Sequence, residues 1–325
     1  MNRYEFVKAF QQNLFIQFSN GFQSWWPSFI FHYSDVTNIV SILNTGKLYS
    51  RHKAVELGLM QNDNANDTVI SNTTDIYKDY VRCYFGAKTP TQYHNEGIKP
   101  AGRIKSNAHC PVPIFLLFDF VDILSKDDVT FSGGNIAASD ADIYTEIEQL
   151  NKLEFNYIYN REALQSDNFN RHIIYCRHAE ILIPDELNID EYLKFICVRS
   201  EAEKETLLYG LNTAVQEKLS GKIKVFTKDG IFFNDRLFVN SVTLVDNEVN
   251  INFSNANKYE FDMRIVAKDY ASGREYDKQK TWKFSSSVNW KVSDEIGSDG
   301  FYIRIELNEN IAYENILFNK KEGII

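Results

Sequence analysis

Residues 178–184 read His-Ala-Glu-Ile-Leu-Ile-Pro. An acidic side chain, Glu180, heads an apolar run whose length and branched residues predict a buried strand. Burying an ionised glutamate is costly unless it is paired. A carboxylate kept at a strand start is therefore expected to face a cleft. The fold turns on which strands flank this one.

Working outward, residues 29–33, Phe-Ile-Phe-His-Tyr, predict a strand. Ser34 or Asp35 offers an N-cap to a helix striped by Val36, Ile39, Val40 and Leu43, which Gly46 would close. Residues 61–75 are rich in Asn, Asp and Thr and predict a mobile loop. Strands are predicted over 80–85, Val112–Phe118, Phe155–Tyr159, His178–Ile183 and Lys194–Val198, with a short helix around 140–150. Ser200 and Glu203 form a capping box for a helix carrying Leu207, Leu211, Val215 and Leu219. Phe6, Phe10, Leu14 and Phe18 predict an amphipathic helix at the N-terminus, unlike the unbroken apolar core of a signal peptide.

From about residue 222 the texture changes. Alternation appears in Lys222–Phe226, Leu237–Val245, Val249–Phe253, Phe261–Val266 and Phe301–Leu307, with turn-like Ser254-Asn255 and Ser298-Asp299-Gly300. Short alternating strands with polar turns predict a β-sandwich. The expected organisation is an α+β domain over 1–220 and an all-β accessory domain over 221–325.

Hydrophobic residues make up 44% of the 325, enough for a core in each domain. Cys83, Cys110, Cys176 and Cys197 are far apart and form no Cys-x-x-Cys pair. A disulfide framework or zinc site is not expected, and the chain reads as a reduced, cytoplasmic protein. No apolar run of about 18 residues occurs, so no membrane span is expected. The net charge of −9 argues against broad electrostatic binding to nucleic acid. Residues 222–325 hold 15 Lys+Arg against 16 Asp+Glu, so the acidity sits in the first part.

Four segments, taken in order, resemble the DarT family of DNA ADP-ribosyltransferase toxins. The first is Phe29–Ser50, with His32, Asn38, Ile42-Leu43, Gly46 and Leu48 in the family's arrangement. The second is Asp79-Tyr80-Val81-Arg82-Cys83-Tyr84-Phe85 followed by Thr89-Pro90. The third is the apolar Pro113–Phe118. The fourth is His178–Ile183, matching the strand that carries the family's catalytic glutamate; Ile196-Cys197-Val198-Arg199-Ser200 also fits. The resemblance covers about residues 29–211 and leaves out the tail.

The resemblance implies a split β-sheet core of ADP-ribosyltransferase type, NAD as substrate and no metal. It implies Glu180 as the catalytic carboxylate, stabilising charge on the ribose or taking a proton from the acceptor. His32 would bond the ribose of NAD, with Ser34, Asn38, Gly46, Leu48, Tyr80 and Tyr84 around the cofactor. The acceptor loop would lie within 131–177. Family members carry an arginine upstream of the Asp-Tyr-Val segment, yet residues 61–78 contain none. Arg51, Arg82 or Arg103 would have to substitute, and Arg51, Arg82 and Tyr93 are the substrate-binding candidates. The implied partner is nucleic acid, single-stranded DNA first and RNA second, with a macrodomain hydrolase as antitoxin. A protein acceptor, a tRNA 2′-phosphotransferase and a degenerate transferase fold serving as a binding module are the rivals. The tRNA enzymes need a basic phosphate-binding set that is not visible here.

Overall fold

The computed structural model describes residues 1–62, 75–104, 108–138, 141–162, 168–226, 230–233, 235–255, 259–283, 285–292 and 300–318. Most of the 61–75 stretch, with Ser298 and Asp299 of a predicted turn, lies outside the described residues.

The first part runs α1 (Arg3–Gln17), β1 (Phe29–Asp35), α2 (Val36–Thr45), β2 (Lys47–Tyr49), α3 (Arg51–Glu56), β3 (Tyr80–Tyr84) and α4 (Pro90–Asn95). It continues through β4 (Pro113–Asp119), α5 (Phe120–Leu124), β5 (Thr130–Ser132), β6 (Ile143–Tyr144), α6 (Phe155–Ile158) and α7 (Asn168–Cys176). Then come β7 (Glu180–Pro184), β8 (Glu186–Asn188), α8 (Ile189–Tyr192), β9 (Leu193–Val198), α9 (Glu201–Gly210), α10 (Thr213–Leu219) and β10 (Ile223–Val225). Among the described residues these give an eight-stranded mixed sheet ordered β10-β9-β4-β1-β3-β7-β5-β6, and β2 pairs β8 separately. The apolar run in β4 explains its place inside the sheet: Ile114–Phe118 are all buried, as a strand covered on both faces must be.

The sheet is continuous but unevenly stitched. β1 pairs with β4 along its whole length, from Phe29↔Asp119 to Asp35↔Pro113. Between β1 and β3 the ladder holds only Phe31↔Tyr84. A single ladder pair thus joins the two halves of the sheet at this seam, in keeping with the split core expected from the sequence. β3 and β7 run antiparallel on one side of it, from Tyr80↔Pro184 to Tyr84↔Glu180.

Some local expectations change. Phe155–Tyr159 is not a strand but the single turn α6, closed by Ile158 N donating to the Glu154 carbonyl at 3.0 Å. Aromatic residues at 155, 157 and 159 fit alternation, but Phe155 and Tyr159 are also one helical turn apart. Their rings pack 5.3 Å apart in the core. The helix expected around 140–150 is a three-ten helix over Ile147–Lys152. The helix expected to run to Leu219 breaks after Gly210, although Leu207, Leu211 and Leu219 all stay buried. The capping box is half formed. Ser200 Oγ accepts from Glu203 N at 3.1 Å, while the Glu203 carboxylate turns to Arg199.

The tail contains β11 (Val239–Val245), β12 (Glu248–Phe253), β13 (Glu260–Lys268), β14 (Glu275–Lys283), β15 (Ser287–Lys291), β16 (Phe301–Leu307) and β17 (Asn310–Leu317). They form two antiparallel sheets, β11-β12-β15 and β14-β13-β16-β17. Inward residues of both sheets, among them Val249, Ile251, Met263 and Ile305, share one core, which makes this a β-sandwich. β10 had been expected with the tail. Instead it pairs in parallel with β9, and Ile231 and Phe232 also join the first core. The sandwich docks through Ile98 N donating to Leu237 O at 3.0 Å, Ser200 Oγ to Val239 O at 2.7 Å and Tyr313 OH to Glu205 at 2.6 Å. Among the described residues no helix is long and apolar enough to cross a membrane.

Candidate active site at the sheet seam

Strand alternation places Tyr80, Arg82 and Tyr84 on one face of β3. Arg82 stands opposite Leu182 and reaches diagonally to Glu180, at the head of β7. Its Nε and Nη2 donate to the two carboxylate oxygens at 2.5 and 2.7 Å, a two-pronged pair. Glu180 is fully buried, while the Arg82 side chain keeps 29% of its exposure. The carboxylate thus does not stand open to a cleft as its sequence position suggested. It is buried and paired, and Arg82, expected to hold substrate, grips Glu180. Burial opposes the charge on Arg82, but the adjacent carboxylate raises its pKa above the ordinary value.

The backbone around Glu180 is fixed as well. Glu180 N donates to Ser132 Oγ at 3.1 Å, and that hydroxyl donates to the Gly134 carbonyl at 2.6 Å. Tyr84 lies opposite Glu180, and burial followed by the Glu180 charge pushes its phenol pKa up. His178 ends the turn before β7. Its Nδ1 lies 3.0 Å from the Ile174 carbonyl and its Nε2 3.4 Å from Thr91 Oγ1. Burial lowers its pKa to about 4, so the ring is neutral near pH 7. Ser132 and Thr91 went unnoticed in the sequence. The local signal for Ser132 is the Gly133-Gly134 pair that follows it.

Across the seam, His32 Nδ1 lies 3.1 Å from the Arg82 backbone carbonyl. Burial lowers the His32 pKa to about 4, so this ring is also neutral. A carbonyl only accepts, so Nδ1 carries the proton and Nε2 is left as an acceptor. His32 therefore combines a fixed tautomer with a position in the wall of a cleft.

That cleft holds about 480 Å³ of empty space, part of it open to solvent. His32, Ser34 and Asn38 supply polar atoms, and Ile42, Leu48, Leu59 and Met60 supply apolar surface. Asn38 spends its amide on the chain itself: Oδ1 accepts from Gln61 N and Asn62 N at 2.9 and 3.0 Å, and Nδ2 donates to the Asn62 carbonyl at 2.5 Å. It positions the 61–62 segment beside the cleft. At the rim, Lys47 and Lys53 both bind Glu186, at 2.5 and 2.7 Å, and together lower its pKa.

Of the residues singled out in the sequence, His32, Ser34, Asn38 and Leu48 come together here, with Glu180, Arg82 and Tyr84 at the adjoining seam. The others sit elsewhere. Gly46 closes α2 at φ +71° and its carbonyl accepts from Ile189 N at 3.0 Å, a structural role. Tyr80 packs toward Tyr77, with ring centres 6.4 Å apart. Arg51 begins α3, outside the cleft wall. Tyr93 is half exposed on α4, where Arg236 stacks on its ring at 4.9 Å. Arg103 stacks on Tyr259 of the tail at 4.3 Å, so it too is remote from this wall.

The family model described as "ssDNA thymidine ADP-ribosyltransferase, DarT" matches residues 31–233. Curated proteins give no match. Among solved structures, Thermus sp. 2.9 DarT in complex with ADP-ribosylated ssDNA is 17% identical, with a TM-score of 0.50 over 64% of this chain and 97% of that one. The same protein in complex with NAD+ is 16% identical, with a TM-score of 0.47 over 64% of this chain and 98% of that one. At such identity the first likeness speaks to fold alone.

Proposed function

The chain belongs to the DarT family, and from that membership we propose that its seam transfers ADP-ribose from NAD to thymidine in single-stranded DNA. As a DarT-family member it is an NAD-dependent ADP-ribosyltransferase. The observation that carries the assignment of the site is the Glu180 carboxylate, gripped by Arg82, whose backbone carbonyl lies 3.1 Å from His32 Nδ1 across the seam.

In the reaction the bond between ribose C1′ and nicotinamide breaks, C1′ bonds to a nucleophilic atom of the base, and the base loses a proton. Positive charge grows on the ribose as nicotinamide leaves. Glu180, a carboxylate buried at the seam beside the cleft, stabilises that charge electrostatically. Arg82 pairs with both carboxylate oxygens and sets the carboxylate plane. His32 Nε2 accepts a hydrogen bond from a ribose hydroxyl. Ser34 adds a polar contact, Leu48 forms part of the apolar floor for a ring, and Asn38 shapes the wall. Tyr84 borders the reacting end, while Arg51 and Tyr93, outside the cleft wall, are assigned to nucleic acid.

Chemistry on a base needs that base out of the stack, which favours single strands over duplex. Stacking on aromatic side chains suits a chain of net charge −9 better than phosphate binding alone. By analogy with the family, the setting is a cytoplasmic toxin or phage-defence effector, reversed by a macrodomain-type antitoxin. The sandwich is assigned to target or partner recognition. Labelled NAD is incubated separately with single-stranded DNA, duplex DNA, RNA and cell protein. Label on single-stranded DNA, with nicotinamide released, is the expected result. Label on RNA or protein alone would replace the acceptor and leave the transferase reading in place.

A further inference from the structure

A second cluster of chemically capable side chains lies where α6 meets α7, apart from the cleft. Glu154 immediately precedes α6, and His172 and Cys176 stand four residues apart on α7, on one helical face. Among the described residues this is the group of His, Cys, Asp and Glu whose donor atoms converge for a metal ion, all within 4.8 Å of one another. Sγ of Cys176 lies 3.6 Å from His172 Nε2 and 3.9 Å from Glu154 Oε1. His172 Nε2 and Glu154 Oε1 are 2.6 Å apart.

Tetrahedral zinc, with bonds of about 2.3 Å to sulfur and about 2.0–2.2 Å to nitrogen or oxygen, spaces its ligand atoms about 3.4–3.6 Å apart. The sulfur–nitrogen distance already fits. The sulfur–oxygen distance needs a few tenths of an ångström, and the His172–Glu154 hydrogen bond must open by somewhat less than 1 Å. Both of those side chains are half exposed and able to move, while Cys176 is buried at the base of the group. A thiolate, an imidazole and a carboxylate form a donor set suited to zinc, and water would complete four-coordination.

We propose that Glu154, His172 and Cys176 bind a zinc-class divalent ion that pins α7 to α6. The ion takes no part in NAD chemistry. It acts on the support of the catalytic strand, because α7 ends at Cys176 and the chain reaches Glu180 four residues later. Ala179 N donates to the Cys176 carbonyl at 2.9 Å, so the turn entering β7 hangs from the last residue of the helix. Binding would release the Cys176 thiol proton to solvent and shift the His172 proton from Nε2 to Nδ1, leaving a thiolate and a free ring nitrogen as ligands.

The test uses the untagged, reduced full chain titrated with Co²⁺ and then Zn²⁺. A thiolate-to-cobalt charge-transfer band that saturates at one equivalent and is erased by Zn²⁺ is expected. Cys176→Ser should abolish the band, and His172→Ala should weaken affinity at least about tenfold, the usual size of a lost ligand or support. Zn²⁺ should raise the melting temperature of the wild type and not of His172→Ala. If Cys176→Ser does not fold, His172→Ala decides, since its side chain is half exposed. Absence of a thiolate band, or a band of undiminished affinity in His172→Ala, would overturn the proposal.

Discussion

Replacing Glu180 with alanine should unsettle the fold as well as the chemistry. The carboxylate is fully buried and accepts both prongs of Arg82, at 2.5 and 2.7 Å. Removing one member of a buried pair typically costs ~3–5 kcal/mol, because the other charge is stranded. Arg82 retains 29% exposure and regains some water, so the expected loss lies toward ~3 kcal/mol. Glu180→Gln keeps the volume and one accepting oxygen, and should cost less, about 1–3 kcal/mol. Urea denaturation of wild type, Glu180→Ala, Arg82→Ala and the double variant gives the coupling directly. The double variant should be less destabilised than the two singles together, by about 1–3 kcal/mol. A Glu180→Ala protein within about 0.5 kcal/mol of wild type, the range of ordinary surface changes, would refute the pairing argument. Glu180→Gln is then the variant in which to read catalysis.

Other consequences follow from neighbouring contacts. Ser132→Ala removes the acceptor of the buried Glu180 N–H, and should cost about 1–3 kcal/mol in the same denaturation measurement. His32 has its pKa lowered to about 4 in the fold, against an ordinary 6.5. Between these values the unfolded chain binds the extra proton, so stability is lost as pH falls from about 6.5 toward about 4. His32→Asn should flatten that slope by at most about 1.4 kcal/mol per pH unit and weaken NAD binding in calorimetry. An unchanged NAD affinity would make His32 a core residue only. Chains truncated after Arg236 and after Ser220 should differ. The shorter one loses β10, Ile231 and Phe232 from the first core and should be far less soluble. Equal solubility and NAD hydrolysis would place the functional boundary back near Ser220.

Much of this fold was legible because the strong signals were local. The apolar strands β1, β4 and β7, the α2 cap and glycine, and the alternation of the tail all follow from patterns within a few residues. Phe155–Tyr159 misled because aromatic residues at every second position also satisfy one helical turn. β10 misled because alternation does not tell which sheet a strand joins; its parallel pairing with β9 is a long-range choice. At the site, Glu180 and His32 could be named from the sequence resemblance, but their states could not. That Arg82 grips Glu180 depends on a diagonal reach across β3 and β7. That Asn38 holds Gln61 and Asn62 depends on how the chain passes the cleft. Glu154, His172 and Cys176 could not be grouped from spacing, because the Glu comes from a separate element 18 residues before the histidine.

The most direct measurement is single-turnover transfer of labelled ADP-ribose from NAD to single-stranded DNA by wild type and by folded Glu180→Gln. Loss of a charge-stabilising group of this kind costs about 2.7–4 kcal/mol, roughly 10²–10³ in rate. The variant should bind NAD normally and transfer at least about a hundredfold more slowly. Near wild-type transfer by a folded Glu180→Gln protein would contradict the assignment of the seam as the catalytic centre.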